Sequence, residues 1–216
     1  MSLTLHYHPL SSACWKVLVA LYENDTRFEG RVVDLLDPAQ RAEFAKISPL
    51  VKFPVLVDAV RARVVPETSI IIEHLARHYP GKVALIPADP DAALEARLWD
   101  RVYDFYVHDP MQRVVADRLR PKENKDPYGV EQLKSQIQQA YALIEQQMGQ
   151  KPWAAGDDFT LADCAACPAL YYANRVSPIA ESQPNVRAYL KRLMERASFA
   201  RVLREAEPYA AMFPKE

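Results

Sequence analysis

FPVLVDAVRARVVPETSIIIEHLARHY, residues 53–79, changes its period twice. FPVLVDA (53–59) is a continuous apolar run of strand length. RARVVPET (61–68) follows after a tight connection, so the two read as a hairpin. From Ser69 the apolar residues fall at Ile71, Ile72, Leu75, Ala76 and Tyr79, the spacing of one helix face. Upstream, LTLHY (3–7) alternates as a strand does, with Leu3, Leu5 and Tyr7 on one side. Cys14, Val17, Leu18 and Leu21 mark a second helix face. RVVDLL (31–36) is a short β-branched run, and residues 38–48 read as a polar helix or loop.

The order is therefore β-α-β-(α)-β-β-α. A βαβ unit followed by ββα on one small sheet is the thioredoxin-like arrangement. Pro80, Pro87 and Pro90 then fall within eleven residues, so the chain reads as a linker there. After Asp91 the pattern is helical throughout. Leu94, Leu98, Val102, Phe105 and Tyr106 form one stripe, either stopped near Pro110 or bent past it to about Leu119. Leu133, Ile137, Ala140, Tyr141, Ile144 and Met148 form another, with Gly149 as its stop. Thr160 and Asp163 have capping-box spacing, Pro184 suits a first turn, and Ser198 reads as the cap of a last helix. The expected division is a thioredoxin-like domain over residues 1–79, a linker over 80–91 and an all-helical domain over 92–216.

Composition narrows the classes. The 216 residues carry a formal net charge of -1, so there is no overall pull toward nucleic acid or an anionic membrane. No apolar run has the length of a membrane span, and residues 1–7 lack a signal-peptide pattern. Three cysteines do not make a disulfide framework and fit a reducing cytoplasm. Cys164 and Cys167 lack the second ligand pair a zinc site needs, so no metal is expected. Cys14 falls on an apolar helix stripe, and all three thiols read as packing groups.

Four local stretches resemble the cytosolic glutathione transferases, over essentially the whole chain. SSACWKV (11–17) is similar to the serine-type turn of the zeta, theta and delta classes. KFPVL (52–56) sits where that family has a cis proline. ETSIIIEHL (67–75) is similar to its γ-glutamyl-holding segment, and FTLADCAA (159–166) to its second-domain capping box. Against the zeta pattern, Ala13 replaces a cysteine and Lys16 an arginine, which counts against that class's isomerase activity.

The resemblance implies an enzyme that takes glutathione as co-substrate, without a metal, and stabilises its thiolate for attack on a small hydrophobic electrophile, in detoxification. Alternatives are a glutathione-dependent isomerase or disulfide reductase of the same fold, or a non-catalytic binding protein. Ser11 and Ser12 are the catalytic candidates. Ser11 is expected to face the sulfur and Ser12 to cap the helix. Lys52, Phe53, Pro54, Glu67 and Thr68 would hold glutathione, and Trp99, Tyr103 and Tyr106 would line the electrophile pocket. A cytoplasmic homodimer is implied, with no nucleic-acid or membrane partner.

One serine suffices energetically. Lowering a thiol pKa from about 8.5 to about 6.5 requires about 2.7 kcal/mol. A hydrogen bond to a charged group contributes about 1.5–3 kcal/mol. A helix N-terminus adds about 0.3–1 kcal/mol.

Overall fold

The computed structural model describes residues 2–214; Met1, Lys215 and Glu216, at the ends of the two expected domains, lie outside the described residues. The first half contains β1 (Leu3–Tyr7), α1 (Ser12–Glu23), β2 (Glu29–Val32), α2 (Pro38–Ile47), β3 (Val55–Asp58), β4 (Arg63–Pro66) and α3 (Thr68–His78). The four strands form one mixed sheet in the order β2-β1-β3-β4. β1 runs parallel to β2 and antiparallel to β3, and β3 pairs antiparallel with β4. The thioredoxin-like arrangement is present, followed by a helical second half.

Local chemistry starts most of these elements. Asp37 caps α2 through its carboxylate, with Pro38 in the first turn. Asp58, fully buried at the end of β3, accepts hydrogen bonds from the Tyr79 hydroxyl and the Arg61 N–H and pairs with His74 Nε2 at 2.9 Å. That knot joins the β3–β4 turn to the end of α3. The second strand lies two to four residues before the expected run, because Thr4–Tyr7 pairs with Glu29–Val32 and leaves Leu35 and Leu36 in the following loop.

The second half contains α4 (Pro90–Val102), a wide π-helical turn (Tyr103–His108), α5 (Asp109–Arg118), α6 (Pro127–Met148), α7 (Leu161–Val176), α8 (Pro184–Glu195) and α9 (Ala197–Ala206). The helix continues through Pro110 because a π turn precedes it. The Asp109 N–H bonds back five residues to the Asp104 carbonyl, so the ladder is already shifted where proline removes a donor.

The expected stripe on α4 faces outward. Leu94, Leu98, Phe105 and Tyr106 are exposed, whereas Ala93, Ala96, Trp99, Val102 and Tyr103 are buried. Tertiary packing selects the alanine-bearing face, since α4 packs on α7, whose Ala162, Ala165, Ala166 and Ala169 are themselves buried. Ser198 does not cap α9, which begins at Ala197; its hydroxyl donates instead to Glu23 at the end of α1. Arg196 makes a bidentate pair with the same Glu23, at 2.7 Å on both arms.

α1 lies between α3 on the sheet side and α7 and α9 on the helical side, so one apolar cluster runs from Leu3 through α1 to Ala206. All three cysteines are buried in this structure, and burial pushes the Cys14 thiol up to about 12.

The Thr160–Asp163 capping box closes in both directions. Asp163 also accepts from Ala154 N at 2.9 Å and from the Tyr189 hydroxyl, tying the loop before α7 and helix α8 to one buried carboxylate. Burial pushes this carboxyl up to about 6, against the hydrogen bonds that favour its charged form. Asp163→Ala orphans those donors and should cost about 3 kcal/mol or more. Urea unfolding should show a lower midpoint with an unchanged slope; a loss under about 1 kcal/mol would contradict this account.

Candidate active site

A cleft of about 610 Å³ opens between the two halves. Its floor comes from the sheet half. Ser11 and Ser12 enter from the start of α1, and Lys52, Phe53 and Pro54 from the loop before β3. Glu67 and Thr68 enter at the β4–α3 junction. These seven residues, whose first and last members Ser11 and Thr68 are 57 positions apart, therefore share one cavity.

The loop geometry is unusual at two of its walls. Val51 and Glu67 both take left-handed backbone angles, φ 50° and φ 68°. For a β-branched residue in particular that conformation is strained and is held only by its surroundings. The Phe53–Pro54 bond is cis. Glu67 occupies the cap position of α3 without making a side-chain cap bond, so the first-turn N–H groups of α3 form an electropositive end beside Thr68.

Ser11 is the cap of α1. Its Oγ accepts the Cys14 N–H at 3.4 Å. The expected division of labour, with Ser12 as the cap, is therefore reversed for capping. The extended backbone at Ser11 (φ -73°, ψ 115°) meets the cap requirement, and Ser12 is already the first helical residue. Accepting that bond uses a lone pair of Ser11 Oγ and not its proton. Ser12 is buried, with its Oγ 2.8 Å from His108 Nε2 and 3.0 Å from Gln112 Nε2.

The opposite wall departs from expectation. Trp99 and Tyr103 point into the core, and Tyr106 is exposed outside the cleft lining. The lining instead includes Arg101, Asp104, Phe105, His108, Asp109 and Gln112. The last five lie three, four, seven, eight and eleven residues after Arg101, the spacing of one helix face, and all but Phe105 are polar, so a search for aromatic side chains passes over most of it.

Under this wall lies a compact charge cluster. Lys16, 2% exposed, has its Nζ 2.6 Å from Asp100 Oδ1 and 2.8 Å from Asp104 Oδ2. It also donates to Ser69 Oγ at 2.9 Å. Arg101 reaches both aspartates at 2.6 Å and bonds Ser69. Two cations and two carboxylates thus neutralise one another between α1, α3 and α4.

The pattern for the "Glutathione S-transferase, N-terminal domain" matches residues 5–83, and that for the "Glutathione S-transferase, C-terminal domain" matches residues 102–197. The chain belongs to the cytosolic glutathione S-transferase family of enzymes.

It is 29% identical, over 191 residues, to a probable maleylacetoacetate isomerase of Caenorhabditis elegans, covering 88% of this chain and 87% of that one. A glutathione S-transferase of Methylobacillus flagellatus, solved with glutathione bound, superposes with a TM-score of 0.84 at 27% identity, over 93% of this chain and 98% of that one. One from Methylobacterium radiotolerans, in complex with glutathione sulfonate, superposes at 0.79 with 28% identity and 93% of each chain covered.

His108 links the cleft to stability. Burial holds its imidazole down to about 4; Asp104 and Asp109 oppose this and Lys16 reinforces it. An unfolded histidine titrates near 6.5, so between about 6.5 and 4 the unfolded chain binds more protons. Stability contributed by neutral His108 is present above about pH 6.5 and is lost as pH falls toward 4. Subtracting the profile of His108→Phe from that of the parent should reveal a loss of about 2–3 kcal/mol, after allowing for the edge of the ring that faces solvent in the cleft. Equal pH dependence in the two proteins would show that His108 is not held neutral.

Proposed function

We propose that this protein holds glutathione along the Lys52–Thr68 side of the cleft and stabilises its thiolate with the Ser11 hydroxyl. The observation that carries the reading is the position of Ser11. It caps α1 at the edge of the cleft, so its spare proton and the electropositive start of the helix can act on one sulfur atom. Phe53 would offer its backbone to the cysteinyl part of glutathione. Thr68 and the start of α3 would receive the α-carboxylate, Glu67 the α-ammonium and Lys52 the glycyl carboxylate. The reaction is then nucleophilic attack by the thiolate on a small electrophile. No metal takes part in this scheme.

A glutathione-dependent isomerase is the second reading, supported by the 29% identity to a protein carrying that name. Ala13 and Lys16, in place of the zeta-class cysteine and arginine, weigh against it. A turnover screen over aryl halides, enones, maleyl compounds and mixed disulfides separates the activities. Failure to bind immobilised glutathione would favour a non-catalytic protein.

We also assign the protein a homodimeric state. Ile70 on α3 and Leu94 and Leu98 on α4 are exposed apolar residues on the helices that the family resemblance assigns to a dimer contact. Leu94→Glu with Leu98→Glu should halve the mass seen by sedimentation; an unchanged mass would remove this face from the interface.

Ser11→Ala should lower turnover by about one to two orders of magnitude, the effect of losing about 1.5–3 kcal/mol from the thiolate. Glutathione affinity should largely persist. The variant should also lose about 0.5–2 kcal/mol of stability, since the same side chain caps α1. Ultraviolet titration of the bound thiolate checks the role directly: it should move up toward the free-thiol value. An unmoved titration would end the serine mechanism.

A further inference from the structure

Ser12 is not the helix cap, and its hydroxyl is one of the polar contacts between the two halves. Oγ lies on α1, while its partners His108 and Gln112 lie on the helical wall, 2.8 and 3.0 Å away. A serine oxygen has one proton and two lone pairs. The Gln112 amide nitrogen can only donate, so it occupies one lone pair. The imidazole Nε2 donates or accepts according to tautomer. With the Nε2–H form, both lone pairs are filled and the Ser12 proton is left for an acceptor in the cleft. An anionic acceptor there selects this form, because only this form gives it a donor.

His108 is the last residue of the π turn. One extra residue in a helix rotates everything beyond it by about 100°, and the turn at Tyr103–His108 makes this adjustment where the wall meets Ser12.

We propose that Ser12, positioned by His108 and Gln112, donates a hydrogen bond to the electrophile and favours compounds in which thiolate attack places negative charge on oxygen. α,β-Unsaturated carbonyl compounds are the class meant. The proposal rests on the glutathione-thiolate reading above.

The sulfur lone pair forms the S–C bond at the β-carbon. The C=C pair moves into conjugation and the carbonyl oxygen becomes an enolate, which Ser12 holds. Water then supplies a proton to the α-carbon and the carbonyl is restored, with no oxidant or reductant consumed. Preorganised donors of this type act on charge that develops only in the transition state. A benzyl halide gains nothing from such a donor on its carbon framework, because its charge leaves with the halide.

The test compares kcat/KM for 4-phenyl-3-buten-2-one and benzyl chloride, each with glutathione. The variants are His108→Phe, Gln112→Leu and His108→Gln. In the first two the enone-to-halide ratio should fall about tenfold or more, through kcat, with KM for glutathione steady. His108→Gln keeps a donor near Nε2 and should recover much of the ratio, which a merely structural histidine would not explain.

Retention on immobilised glutathione identifies folded variants, and Gln112→Leu tests the same hydroxyl without disturbing the imidazole. An unchanged ratio overturns the proposal, as does a parent enzyme inert toward the enone. Both substrates falling together, with the bound-thiol titration moving up, would place Ser12 on the sulfur and also overturn it. Failure of the Ser11 reading is distinguishable, because it shows in the titration of Ser11→Ala and not in this ratio.

Discussion

The buried ammonium of Lys16 is the contact on which the two halves depend. It sits on α1 in the sheet half, and its two carboxylate partners, Asp100 and Asp104, belong to the helical half. An uncompensated ammonium at that depth would be costly, so the partners must be present and in register. Ser69 at the start of α3 and Arg101 complete the cluster. The angle between α1, α3 and α4 is thereby set directly beneath the cleft. Glu23, held by Arg196 and Ser198, makes a second polar junction at the other end of α1. The apolar cluster around α1 supplies area, while these charge contacts specify how the surfaces meet.

The cleft itself divides by origin. Residues from the sheet half sit on loops with constrained backbones: a cis bond at Pro54 and left-handed angles at Val51 and Glu67. Most residues from the helical half lie along the segment Arg101–Gln112, which contains the π turn, with Ala165 and Pro168 of α7 beside them. The side chains of that segment that line the cleft are mostly polar, so this side of the cleft is less apolar than an aromatic stripe would have made it. Phe105, with Arg101 lying 5.2 Å over its ring, is the apolar lining residue of that segment.

Ser11 and Ser12 show how neighbouring side chains take different partners. At the cap position the side chain turns back to its own helix, as Ser11 does toward Cys14 N. One residue later, the helical backbone points Ser12 away from that turn and across to His108 and Gln112. Capping and ligand contact are compatible in Ser11, because accepting the Cys14 N–H uses a lone pair and not the proton.

Much of this was legible in residue order. The changes of period from 53 to 79, the prolines of 80–90 and the Thr160–Asp163 box identify a thioredoxin-like half and a helical half, because backbone periodicity and capping act over a few residues. The glutathione-side candidates Ser11, Lys52, Phe53, Glu67 and Thr68 were also readable, since each lies in a short segment of recognisable form, and they meet in one cleft. The outer wall was not. α4 carries two apolar faces, and only packing on the alanines of α7 decides that Trp99 and Tyr103 are core while Leu94 and Leu98 face outward. Docking of the two halves brings His108 and Gln112 to Ser12, about a hundred positions earlier in the chain. Helix phase and helix-to-helix packing depend on surfaces distant in the chain, so the identity of that wall was settled only by the tertiary structure.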